Sequence, residues 1–198
     1  MSNVWQQTVD NFWQAALIKF LPPQVKPWWF TLTRFILIPL ILLALSAALF
    51  ALAGSLFALA ALADSLDGSL ARIRRQESSW GAIFDPLADK LLFMLTAIFL
   101  AYFYPHPWLL LFSLVPDFLL GLAGLIFLVW WPDKKIPQSN WVGKSKMLFE
   151  VLAVLTIFIF LLWPLACWLW WSWIFLYLAI IFGLDSLVVY SMMAISQN

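Results

Sequence analysis

From Trp28 to about Ile195 the chain runs as long apolar stretches interrupted by short clusters of polar, charged or turn-forming residues. At about 20 apolar residues per membrane crossing, that length has room for roughly six helices. The interruptions divide it into spans from about Trp28 to Leu45, Ala47 to Arg72, Trp80 to Phe103, Trp108 to Trp131, Val142 to Leu162 and Trp168 to Ile195. Before them, Val4, Trp5, Val9, Phe12, Trp13, Ala16, Leu17 and Phe20 recur at helical spacing opposite Gln6, Asp10 and Gln14. That pattern predicts an amphipathic helix lying in the membrane interface. The expected protein is therefore an all-α integral membrane protein with six transmembrane helices and an N-terminal interfacial helix. Residues 1–27 form the interfacial helix and linker, and residues 28–198 form one membrane domain.

Composition agrees with lipid as the solvent. Of 198 residues, 65% are hydrophobic and only 11% charged, and the mean hydropathy is +0.94, well outside the range of soluble domains. The net charge of +1 is less informative than where the cations fall. With the N-terminus in the cytoplasm, Lys19, Lys26 and Arg34, then Arg72, Arg74, Arg75 and Lys90, then Lys134, Lys135, Lys144 and Lys146 all lie on the cytoplasmic side. The opposite connections carry no Lys or Arg, as the positive-inside rule requires, and the C-terminus is cytoplasmic too. Trp28, Trp29, Trp80, Trp108, Trp130, Trp131, Trp141, Trp163 and Trp168 fall near span ends, where an interfacial aromatic belt belongs. The first 27 residues contain no apolar region of signal-peptide type, so no cleavage on export is expected. Cys167, the single cysteine, reads as a small apolar residue. Membrane lipids are expected partners, and nucleic acid is not.

Chemistry concentrates in Asp64-Ser65-Leu66-Asp67-Gly68-Ser69-Leu70-Ala71-Arg72 and Gly81-Ala82-Ile83-Phe84-Asp85-Pro86-Leu87-Ala88-Asp89-Lys90. Asp64 and Asp67 are three apart, and Asp85 and Asp89 four apart, so each pair shares a helix face. Carboxylates gathered where membrane meets cytoplasm repel one another and resist desolvation unless a cation sits among them. Oxygen ligands without Cys or His suit Mg²⁺, Mn²⁺ or Ca²⁺. A pair of such ions about 4 Å apart can clamp a diphosphate and stabilise charge on its leaving oxygen. Gly68, Ala71 and Gly81 leave backbone open to a ligand, or alternatively serve close helix packing. Pro86 removes a donor from the carbonyl of Ala82, so a kink is expected there. A cation channel or transporter would explain the acids but not the glycines. A prenyl-diphosphate enzyme would show D-D-x-x-D, which this chain lacks.

The pattern D-x-x-D-G-x-x-A-R-x(8)-G-x-x-x-D-x-x-x-D, carried by Asp64, Asp67, Gly68, Ala71, Arg72, Gly81, Asp85 and Asp89, resembles the signature of the CDP-alcohol phosphotransferases. The resemblance implies that Asp64, Asp67, Asp85 and Asp89 coordinate two metal ions, Mg²⁺ or Mn²⁺. It further implies that Asp89 is the base for the acceptor hydroxyl and that Gly68, Ala71, Arg72 and Gly81 form the cytidine-diphosphate site. The donor would be a CDP-diacylglycerol-like lipid, the leaving group CMP, and the assembly a homodimer with a cytoplasmic active site, in a bacterial inner membrane.

Asp85-Pro86-Leu87-Ala88-Asp89-Lys90, Thr31 to Arg34 with Pro39, and Gly143-Lys144-Ser145-Lys146 further resemble the branch that makes phosphatidylglycerophosphate or cardiolipin. Glycerol 3-phosphate is then the leading acceptor. Phosphatidylglycerol, inositol phosphate, serine and other polyols are alternatives, since Pro116-Asp117 replaces that branch's Arg followed by an acid. Met147 and Glu150 likewise stand where it has Thr and Gln. Lys144 and Lys146 are candidate ligands of an acceptor phosphate, or serve topology and anionic lipid. Asp117, a further candidate for the acceptor site, lies with Glu150 and Asp185 within spans, where a charge calls for a partner or a cavity. Arg34 is a candidate either for the acceptor site or for pairing with Asp185. His106, between Pro105 and Pro107, reads as a loop residue on the far side of the membrane.

Overall fold

The computed structural model describes residue 14 and residues 28–74, 79–130 and 141–196. Within these, side chains are described except at 28, 67–68, 71–72, 74, 79–86, 124–130, 141 and 193–196. The expected interfacial helix falls outside the described residues apart from Gln14, which is helical and exposed. The described elements are all helices: α1 (Trp28–Ser46), α2 (Phe50–Arg74), α3 (Ser79–Ala101), α4 (Pro107–Ser113), α5 (Val115–Trp130), α6 (Trp141–Leu162) and α7 (Ala166–Ser196). They divide into two compact units, Met1–Thr96 and Ala97–Asn198.

In the first unit α1 packs along α2. The buried side chains of α1 are Arg34, Leu37, Ile38, Ile41, Ala44 and Leu45 with Thr31, a stripe at intervals of three and four. The matching stripe of α2 is Ala53, Phe57, Ala60 and Ala63, and its alanines let the two backbones approach closely. The opposite face of α1 is also apolar: Leu32, Ile36, Leu40 and Leu43 are exposed. A helix apolar on all sides belongs in lipid. Three helices among the described residues are long and apolar enough to cross a membrane, Trp29–Ser46, Val142–Leu162 and Ala166–Met192, with shorter apolar helices at Phe50–Leu66 and Pro107–Ala123.

The turn between α1 and α2 contains neither Gly nor Pro. Ala48 adopts φ 56°; its N–H donates to Leu45 O at 2.9 Å, and the Leu49 N–H donates to Ala44 O at 2.8 Å. These are the paired bonds of a Schellman ending, with alanine at the left-handed position that glycine normally fills. Ser46 Oγ adds a bond to Leu43 O at 2.8 Å. Because a Cβ is penalised in that conformation, Ala48→Gly is expected to stabilise the protein by about 1 kcal/mol. Thermal unfolding in detergent checks it, and a lower midpoint for the glycine variant would contradict this turn geometry.

In the second unit α6 packs extensively on α7, which also meets α4 and α5. Ala153, Val154, Ile157 and Phe158 of α6 and Leu176, Ala179 and Ile180 of α7 are buried. The single fourth span expected from Trp108 to Trp131 is instead two helices, with Leu114 between them bonding to Leu111 O at 3.2 Å. Pro116 explains the break: it has no N–H to continue α4 and its ring crowds the carbonyl of Phe112, whereas in the first turn of α5 no such bond is required. Pro116 also seats α7. A Cβ built on Gly183 would lie 2.7 Å from Pro116 Cβ and 3.1 Å from Lys146 Cε, so only glycine permits this approach. By contrast α3 runs on as helix through position 86, although the kink expected at Pro86 falls among residues whose side chains are not described.

Candidate functional site

The buried stripes of the first unit determine where its charges meet. Arg34 continues the stripe of Ile38, Ile41 and Leu45 by one turn, and Asp64 continues that of Ala53, Phe57 and Ala60. Opposed helices therefore bring the two together. The Arg34 side chain is 0% exposed, and its Nη1 lies 2.9 Å from Asp64 Oδ1. The same Nη1 donates to Asp89 Oδ1, so a carboxylate of α2 and a carboxylate of α3 converge on one nitrogen of α1. Asp89 reaches it from a turn anchored by Ala88, Leu92, Phe93 and Thr96, all buried. Asp64 remains 35% exposed and Asp89 17% exposed, while the guanidinium is enclosed.

Asp67 lies one helical turn beyond Asp64 on α2, and Asp85 one turn before Asp89 on α3. The side chains of Asp67 and Asp85, and those expected at the nucleotide site, Gly68, Ala71, Arg72 and Gly81, are outside the described set. Among the described residues no three acid, His or Cys side chains form a metal cluster; only Asp64 and Asp89 of the expected set have described side chains. The residues present fit a hard divalent ion: two carboxylate oxygens from separate helices already converge on a positive centre, and carboxylate oxygens are hard ligands. Arg34 thus meets the proposed metal acids. The partner weighed for it from the sequence, Asp185, is exposed on α7.

The second unit holds a separate charge cluster. Lys146, 2% exposed, pairs with Asp117 of α5 and with Glu150 one turn on in α6, the latter at 2.9 Å. Asp117 and Glu150, which as charges within spans called for a partner, have one in Lys146. Lys144 is exposed. The two lysines treated alike in the sequence therefore differ: one is enclosed between two acids and the other faces outward. His106 lies in the turn before α4, as expected of a loop residue, with its ring edge-on to Trp173 at 4.8 Å between centroids. The Tyr104 hydroxyl and Ser172 Oγ are 2.6 Å apart and tie that turn to α7. Burial pushes the Tyr104 phenol above its ordinary range. Cys167 is free and exposed.

Comparison with known proteins adds the family. Among curated proteins the chain is 46% identical over 89 residues to the CDP-diacylglycerol--glycerol-3-phosphate 3-phosphatidyltransferase of Cereibacter sphaeroides, covering 43% of this chain and 30% of that protein. It is 32% identical over 130 residues to the protein of the same name from Aquifex aeolicus, covering 64% of this chain and 71% of the relative. With the one from Sodalis glossinidius it shares 29% identity over 143 residues, 66% of this chain and 75% of the relative. The matched stretch is thus less than a third of the first relative's length and about three quarters of the last. The family model described as CDP-alcohol phosphatidyltransferase matches residues 24–184, which take in the aspartate site, Lys144 and Lys146. The chain belongs to the CDP-alcohol phosphatidyltransferase family.

Proposed function

We propose that the chain transfers the phosphatidyl group of CDP-diacylglycerol to glycerol 3-phosphate, giving phosphatidylglycerophosphate and CMP. The acceptor hydroxyl oxygen forms a bond to the lipid-side phosphorus, the bond from that phosphorus to the CMP oxygen breaks, and the hydroxyl proton passes to the protein. The observation that carries this reading is the convergence of Asp64 and Asp89 on one positive centre from two helices, in a chain of this family. The names of the relatives, which specify CDP-diacylglycerol and glycerol 3-phosphate, support the choice of substrates.

The family in general depends on a divalent metal. Asp64, Asp67, Asp85 and Asp89 would hold Mg²⁺ or Mn²⁺, two ions in this reading, which would neutralise the donor diphosphate and its leaving oxygen. Asp89, held on one oxygen by Arg34, takes the acceptor proton on the other. Gly68, Ala71, Arg72 and Gly81 line the cytidine-diphosphate site. Lys144, exposed at the start of α6, supplies charge for the acceptor phosphate. Six transmembrane spans, cytoplasmic termini and active site, a bacterial inner membrane and a homodimer complete the reading. The charge asymmetry of the short connections supports its orientation.

The test is release of CMP by purified protein in detergent given CDP-diacylglycerol and glycerol 3-phosphate. Turnover is expected with glycerol 3-phosphate, is lost in excess chelator, and returns when Mg²⁺ or Mn²⁺ is added back. CMP released with serine, inositol phosphate or phosphatidylglycerol but not with glycerol 3-phosphate would overturn the acceptor. No CMP with any of these alcohols would overturn the reaction.

A further inference from the structure

We infer that Arg34 is a positioning residue that stands in for a divalent cation, holding Asp64 and Asp89 together whenever the metal site is empty. The inference rests on the proposed metal role of those aspartates and goes beyond it, because it assigns a function toward the metal site to a side chain that, being a cation, is not itself a metal ligand. Its basis is geometric. A guanidinium that is 0% exposed reaches from α1 and bridges, through one nitrogen, carboxylates carried by α2 and α3. Two carboxylates brought this close repel each other unless a cation lies between them. Arginine suits the task because it stays charged at every relevant pH and presents several fixed donors. Its place on the packed stripe of α1, beside Ile38 and Ile41, keeps it from swinging away.

One consequence separates a stand-in cation from a plain structural strut. The same two carboxylates receive positive charge from Arg34 in the ion-free protein and from the ions as well in the loaded protein. Arg34 therefore contributes most when metal is absent and less when it is present. A strut contributes equally in both states.

Wild type, Arg34→Gln and Arg34→Lys are purified in detergent, and thermal unfolding is followed in chelator and in saturating Mn²⁺, with Mn²⁺ binding measured separately by calorimetry or by its magnetic resonance signal. In chelator the midpoint of Arg34→Gln is expected roughly 10 °C below wild type, the scale for breaking a buried ion pair in a chain of this size. In Mn²⁺ less than half of that loss remains, and Mn²⁺ binds the variant at least as tightly as wild type. Arg34→Lys keeps the charge but loses the fork, so its metal-induced shift falls between the other two. A Gln variant that stays folded only in Mn²⁺ is the same result in stronger form. Equal losses with and without Mn²⁺, or weaker Mn²⁺ binding by the Gln variant, overturn the inference. If the Gln variant unfolds under both conditions, the Lys variant decides: a metal shift larger than that of wild type supports the inference, and one equal to or below it overturns it. Wild type that neither binds Mn²⁺ nor gains stability from it overturns the metal reading first, an outcome distinct from equal losses in a protein that binds Mn²⁺.

Discussion

Asp89→Asn is expected to lower CMP release by about 10³-fold or more while the protein stays inserted and folded. A well-placed general base contributes on the order of 10² to 10⁴ in rate, and this substitution also removes a charged oxygen from the proposed metal set. The fold should survive because Asn keeps the volume and retains a carbonyl oxygen in place of Oδ1, the atom that accepts from Arg34. The neighbouring anchors Ala88, Leu92 and Phe93 are untouched. Asp185→Asn is the matched control: the same chemical change on an exposed acid of α7 is expected to leave turnover near that of wild type. The measurement is CMP release at saturating donor and acceptor, alongside thermal unfolding of each variant. An Asp89→Asn protein with a wild-type midpoint and turnover within tenfold of wild type would remove Asp89 from the proton-accepting role.

Much of the fold is legible as apolar length. Spans as long as Trp29–Ser46, Val142–Leu162 and Ala166–Met192 have few soluble alternatives, and their ends follow from where polar residues return. The two local surprises have different origins. The division of the fourth span was readable in principle, because Pro116 cannot extend a helix from its N-terminal side; the apolar stretches on both sides of Pro116 and Asp117 concealed it. The break near Ser46 was expected and is found, at Ala47 to Leu49, but its left-handed conformation was not readable, since the residue that adopts it is an alanine. Only the tertiary demand that α2 return along α1 selects that conformation over continued helix.

The site divides along similar lines. Spacing of three and four residues announces which aspartates share a helix face, because that depends only on helical geometry. Spacing cannot say that Arg34 meets Asp89, 55 positions away. A weaker signal was present: Arg34 falls on the same stripe as Leu37, Ile38 and Ile41, and a charge on a buried stripe requires an opposite charge. The Lys146 to Glu150 pair was visible as an i, i+4 spacing. What the sequence left open was which of Lys144 and Lys146 faces the interior, since positions two apart on a helix point in different directions and both stretches around them are apolar.

That difference between the two lysines leads to the second large expected effect. Lys146→Met would leave Asp117 and Glu150 enclosed with no cation, their side chains 14% and 5% exposed. Breaking a buried ion cluster by removing one partner costs about 3–5 kcal/mol, which corresponds to a midpoint lower by roughly 10 °C in a chain of this size. The methionine fills most of the lysine's volume, so lost packing contributes little. The loss should therefore be electrostatic, and it should be largely recovered when Asp117→Asn and Glu150→Gln are added, because replacing a whole buried cluster by neutral groups is often close to neutral. Lys144→Met removes an exposed ammonium and should change stability by less than about 0.5 kcal/mol. Its effect should appear instead as a higher KM for glycerol 3-phosphate, with the KM for CDP-diacylglycerol nearly unchanged, the signature of lost acceptor binding. Unfolding midpoints and the two KM values separate the roles. A Lys146→Met protein as stable as wild type would mean that the cluster does not form as described. A Lys144→Met protein with an unchanged acceptor KM would return that lysine to setting topology and meeting anionic lipid at the membrane surface.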